Sequence, residues 1–132
     1  MAKLTDLHGI DQVLLERLGK MGIRSLDALL RTSANGAGSL RVSLHAGVEK
    51  KRIENLVAQA DLMRLRGIGV EYARLLMAAG VRSVEDLSGR DPEALADHLL
   101  EAEMIEGETE ASPSAKRVAA WIRQAQSMTM GH

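Results

Sequence analysis

Shifted by 58 residues, the chain matches itself. LTDLHGIDQVLLERLGKMGIRSLDAL (4–29) lies over LMRLRGIGVEYARLLMAAGVRSVEDL (62–87). Leu4, Leu7, Gly9, Ile10, Leu18, Gly22, Arg24, Ser25 and Leu29 recur as Leu62, Leu65, Gly67, Ile68, Leu76, Gly80, Arg82, Ser83 and Leu87. The closing segments match at a shift of 65: IENLVAQADLM (53–63) lies over VAAWIRQAQSM (118–128), sharing Gln-Ala and the final Met. The second copy has therefore gained seven residues, and the acidic stretch 101–111 is where they fit. Self-similarity of this kind means one substructure used twice. The expected organisation is a single domain, 1–132, built from repeat unit one (4–61) and repeat unit two (62–128). Two copies around one shared core predict pseudo-two-fold symmetry.

Periodicity assigns these copies to the all-α class. Leu14, Leu15, Leu18 and Met21 form a helical stripe over Asp11–Met21, and Gly22 stops it. Ser25 caps a short helix to about Arg31, Thr32–Gly38 reads as loop, and a short helix covers Ser39–His45 before Gly47. A long helix follows over Glu49–Arg64, with Ile53, Leu56, Val57 and Ala60 as its stripe. The second copy predicts helices at Val70–Ala79, Ser83–Ser88 and Asp91 to about Met104. Ser112-Pro113 is expected to open the last helix, whose stripe is Val118, Trp121, Ile122 and Ala125. No stretch alternates long enough to be a strand.

Composition narrows the function classes. Apolar residues make up 45% and charged residues 27%, which is ordinary for a soluble domain. No apolar run approaches the ~20 residues of a membrane span, and MAKLTDLHGI has no secretory h-region. With no cysteine there is no disulfide, thiol nucleophile or thiolate metal site. A cytoplasmic location is expected. Tyr72 and Trp121 are the only aromatics, too few for a base-stacking platform. The methionines Met21, Met63, Met77, Met104 and Met128 fall mostly on apolar stripes, so core filling is expected of them.

Charge is uneven. Residues 1–66 carry eleven basic and seven acidic side chains, while 67–132 carry six and eleven. From Asp91 to Ala115 there are eight acids and no Lys or Arg. Such asymmetry can mark partner faces. Glu101, Glu103, Glu106, Glu108 and Glu110 form the candidate partner surface.

Catalytic chemistry is not expected. Gly36-Ala37-Gly38 lacks the Lys-Ser/Thr of a nucleotide loop. His98 stands near Asp97 and Glu101, but no second cluster would complete a metal site. No metal, cofactor or small-molecule substrate is predicted.

The segment with most to offer is Leu65-Arg66-Gly67-Ile68-Gly69-Val70. The glycines allow unusual φ and close approach of another backbone. Ile68 should point inward, and small Ala73 lets two helices cross closely. The first backbone N–H groups of the helix from Val70 would then face outward as an anion site. The pattern Gly67, Ile68, Gly69, Ala73, Leu76 resembles the helix–hairpin–helix motif. The whole chain resembles a bacterial family of tandem helix–hairpin–helix proteins of unknown function, of the SAM-like kind. Its unit is also similar to the C-terminal domain of the bacterial RNA polymerase α subunit.

That resemblance implies contact with the DNA backbone without base reading, and a monovalent cation on the hairpin carbonyls. It places the nucleic-acid contact on Gly67, Ile68, Gly69 and Val70, with Arg64, Arg66, Arg74, Lys50 and Lys51 around it. The first hairpin, His8-Gly9 with Asp11 in place of the second glycine, is degenerate, because a carboxylate repels phosphate. Only 1–6 precede it, so its leading helix is missing. Val70 and Glu71 also stand where Lys or Arg often follow a DNA-gripping hairpin. The expected function is weak, non-specific duplex DNA binding through the second hairpin. The alternative is a protein-interaction adaptor that keeps the fold without DNA, its partner another protein or a second copy of itself.

Overall fold

The computed structural model describes residues 3–106 and 112–130. Among these the chain is all-helical, with no strand. A 3-10 turn at Leu4–Asp6 is followed by α1 (Gln12–Lys20), α2 (Leu26–Thr32), α3 (Gly36–Ala46), α4 (Lys50–Leu62), α5 (Val70–Ala78), α6 (Val84–Ser88), α7 (Pro92–Glu106) and α8 (Ala115–Met130). No helix among the described residues is long and apolar enough to cross a membrane. The chain forms two compact units, Met1–Asp61 and Leu62–His132.

In unit 1, Asp11 starts α1 by accepting from the Leu14 N–H at 2.8 Å. Leu14 and Leu18 face the core. Gly22, at φ +83°, ends the helix, and the Ile23 N–H turns back to the Leu18 carbonyl at 2.9 Å. A left-handed residue followed by this six-to-one bond is how helices stop on glycine. Ser25 Oγ then caps α2 through the Ala28 N–H.

The segment expected as loop departs from expectation. Asn35 caps α3 through the Gly38 N–H at 2.8 Å, so the helix opens at Gly36 rather than Ser39. Gly38 is required there for a reason that periodicity does not carry: a Cβ would lie 2.4 Å from the Thr32 carbonyl oxygen. α3 packs on α1 and α2, and Gly47 at φ +70° ends it. Ile53, Leu56 and Ala60 of α4 close the unit.

Unit 2 uses the same order of devices. Gly80 at φ +92° ends α5, and the Val81 N–H returns to the Leu76 carbonyl at 2.9 Å. Ser83 caps α6 through the Asp86 N–H. Asp91 caps α7 through the Ala94 N–H, with Pro92 as first helical residue. Its core gathers Leu65, Ile68, Leu76, Leu87, Leu99 and Trp121. Each such side chain contributes roughly 1.5–3 kcal/mol on burial. α8 packs against α6 and α7, presenting Val118, Trp121, Ile122 and Ala125. It begins at Ala115, with Ser114 Oγ accepting from the Arg117 N–H, so Ser114 and not Ser112 is the cap. Pro113 is buried just ahead of it. Met104 and Met128 do not fill the core: they are exposed.

Candidate nucleic-acid interface

Two turns occupy matching places in the two units, and each is fastened from a distance. In unit 1, Gln59 of α4 clamps His8: the His8 N–H donates to Gln59 Oε1 at 2.8 Å, and Gln59 Nε2 donates to the His8 carbonyl at 2.8 Å. In unit 2, Gln124 of α8 does the same to Arg66, at 3.1 and 3.3 Å. Gly9 and Gly67 follow at φ +92° and +88°. A planar amide offering donor and acceptor together matches an exposed peptide edge. Because the amide fills both its bonds, Gln59 can be 3% exposed without an unpaired polar atom. The matched Gln-Ala was the sequence signal for this clamp, but its purpose is visible only in the fold. The His8 side chain is exposed, and its backbone is what the turn uses.

Beyond the clamp the two turns differ. In unit 1, the Asp11 carboxylate sits on the N-terminus of α1 through the Leu14 N–H. Arg52 of α4 donates to the Gly9 carbonyl at 2.9 Å and to Asp11 Oδ2 at 3.1 Å. The turn thus carries its own anion and its own cation. The Leu14 N–H above all, and then Arg52, hold the Asp11 carboxyl below its ordinary value of 3.8.

In unit 2, Gly69 stands where Asp11 stands in unit 1. It has φ −92° and ψ −170°, so only Gly67 uses the left-handed region, and Gly69 is not needed for backbone freedom. It caps α5 with no side-chain hydrogen bond, and a Cβ there would meet nothing within 4 Å. Arg117 occupies the position matching Arg52, yet its guanidinium lies 5.0 Å from the Tyr72 ring centre and 5.7 Å from Trp121, and it donates to Tyr72 Oη at 3.3 Å. Tyr72 and Trp121 rest against each other at 5.1 Å. Tyr72 replaces Leu14 of the first unit, so an aromatic face has drawn this arginine aside.

Ile68 is buried, as its place in an apolar turn requires, and fixes the loop to the core. Arg64 and Arg66 are exposed beside the turn, and Arg74 is half-buried one turn into α5. Val70 and Glu71 form the first turn of α5, with Glu71 exposed. Lys50 and Lys51 open α4 in unit 1, where Lys50 Nζ is 3.9 Å from Glu54. Glu101 is exposed on α7, and Glu103 accepts from the Ser112 hydroxyl. Glu108 and Glu110 lie outside the described residues. No group of three or more potential metal ligands occurs among the described residues.

A family described as a domain of unknown function, DUF4332, matches residues 8–128. The chain belongs to this family. The match takes in both turns, both clamping glutamines and the whole of α1–α7. No curated protein and no solved structure matches the chain.

Proposed function

We propose that this chain is a non-enzymatic, helix–hairpin–helix type protein that contacts the phosphate backbone of duplex DNA. It does so weakly, without sequence preference, through Gly67–Val70 of unit 2. The observation that carries this reading is the contrast between the turns. The unit 1 turn holds Asp11 where a phosphate would sit and Arg52 where a cation would sit. The unit 2 turn has Gly69 at the first position and an arginine drawn onto Tyr72 at the second.

Uncapped N–H groups at a helix start favour an anion. Arg64, Arg66 and Arg74 add positive charge near the turn. Backbone contacts of this kind position a protein without reading sequence. The Gly67 carbonyl side of the turn is the place for the monovalent cation that the hairpin resemblance implies.

The test is fluorescence anisotropy of labelled duplex DNA at about 50 and 200 mM salt. Wild type is compared with Gly69→Asp, which copies the unit 1 arrangement, and with Asp11→Gly, which removes it. Binding that weakens with salt and disappears in Gly69→Asp supports the reading. Equal binding by wild type and Gly69→Asp overturns it.

One observation favours the second reading, an adaptor without DNA. Leu100, Met104 and Ile105 of α7 are apolar and exposed, which suits a protein partner.

A further inference from the structure

Two helices carry exposed apolar faces of opposite electrical character. On α3, Leu44 is 72% exposed and Leu40 46%, one helical turn apart, with exposed Ala37 on the same side. The flanking side chains are Arg41 and His45, and residues 36–46 contain no acid. On α7, Met104 is 78% and Ile105 84% exposed, with Leu100 a turn before. This helix has Glu93, Asp97, Glu101, Glu103 and Glu106 and no Lys or Arg. Single exposed leucines are unremarkable, but contiguous apolar residues on a helix face mark a contact surface.

Shape agrees with charge. Beside the α7 face lies an open groove of about 260 Å³, floored by Ala78, Ala79 and Ala102 and walled by His98, Glu101 and Ile105. Small residues on the floor leave room for a projecting aliphatic side chain, and Glu101 supplies an acidic rim. α3 offers the counterpart: Leu44 projects, with Arg41 and His45 beside it.

We propose that α3 of one molecule docks on the α7 groove of a second copy of this chain, with Leu44 entering beside Ile105. Arg41 and His45 then face Asp97 and Glu101. Like faces do not serve: α7 against α7 would bring carboxylates together, and α3 against α3 would bring Arg41 against Arg41. Charge that repels identical pairing and favours unlike pairing selects the head-to-tail contact. After one such contact the pair keeps one α3 face and one α7 face unused, so association closes reciprocally or continues to a ring or an open chain. The contact uses neither Gly67 nor Gly69, so it stands or falls apart from DNA binding.

Sedimentation velocity with light scattering tests this on the full chain. Wild type is expected to rise above the 14.3 kDa of one chain as concentration increases. Leu44→Glu and Ile105→Lys change exposed residues, and circular dichroism checks that each stays helical. Each alone is expected to remain monomeric, having lost one of the two faces. Mixed, they retain one good α3 and one good α7 between them and are expected to form a dimer that stops there. Four results overturn the proposal: wild type that stays monomeric at every concentration, Leu44→Glu that still self-associates, Ile105→Lys that still self-associates, or a mixture that yields no dimer while wild type assembles.

Discussion

Gly67 and Gly69 sit two residues apart and have different physical roles, so they respond differently to substitution. Gly67 lies at φ +88°, and a Cβ would stand 3.3 Å from Trp121 Nε1. Gly67→Ala is expected to cost about 1–2 kcal/mol from the left-handed backbone alone, read as a lower urea midpoint at unchanged slope. Gly69→Asp has extended backbone and open space, and it supplies the cap that Asp11 supplies in unit 1. It should hold or raise stability by a few tenths of a kcal/mol while removing DNA binding, which separates folding from function in one variant.

Asp11 itself predicts a pH response. Its folded-state carboxyl is held below 3.8, chiefly by the Leu14 N–H and then by Arg52. A depressed carboxylate contributes stability above its ordinary value and loses it as pH falls through the folded one. Thermal melts taken from neutral pH down past 3.8 should therefore fall less steeply in Asp11→Asn than in wild type.

At the scale of elements, each turn depends on a glutamine far along the chain. Gln59 lies 51 positions beyond His8, and Gln124 lies 58 beyond Arg66. Replacing buried Gln59 by Leu strands a peptide N–H and carbonyl, at a cost of about 1–3 kcal/mol. Gln124→Leu should cost less, because its partners are more exposed, but should blur the shape of the second turn. Hydrogen exchange at the His8 and Arg66 amides checks both variants, since loss of the clamp speeds exchange at that amide first.

Much of this scale was legible beforehand. The stripes of α1, α4, α5 and α8 follow the 3.6-residue period, and Ser25, Ser83 and Asp91 announce their caps. The start of α3 inside 32–38 was hidden because Asn-Gly usually marks a turn, whereas here Asn35 caps a helix whose Gly38 lies against the Thr32 carbonyl. The start of α8 was misplaced because Ser112 and Ser114 both flank Pro113, and only packing decides between them. Arg52 was beyond reach: its partners Gly9 and Asp11 are more than forty positions away, outside any local period.

For the whole molecule, electrostatics set the expected strength of binding. The formal charge is −1, so no global positive field would draw DNA in, and the proposed affinity would rest on one turn and its nearby arginines. A contact neutralising two or three phosphates gives a slope of log affinity on log salt of about −2 to −3. Titrations at several salt concentrations measure it directly, and a much steeper slope would point to a larger interface than the second turn. The uneven charge along the chain would have its own use in the proposed docking of α3 on α7, where the acidic helix would meet a segment without acids.

The glutamine clamp also has a consequence for synthesis. Translation delivers the Gly67 turn long before it delivers Gln124, the residue that holds that turn in shape. A nascent chain would expose the loop but lack its fastening until Gln124, past the middle of α8, has left the ribosome. The first turn, clamped by Gln59 and filled by Arg52, has all its parts as soon as Gln59 has emerged. The second turn would thus gain its fixed shape only once a residue 58 positions beyond Arg66 has been made.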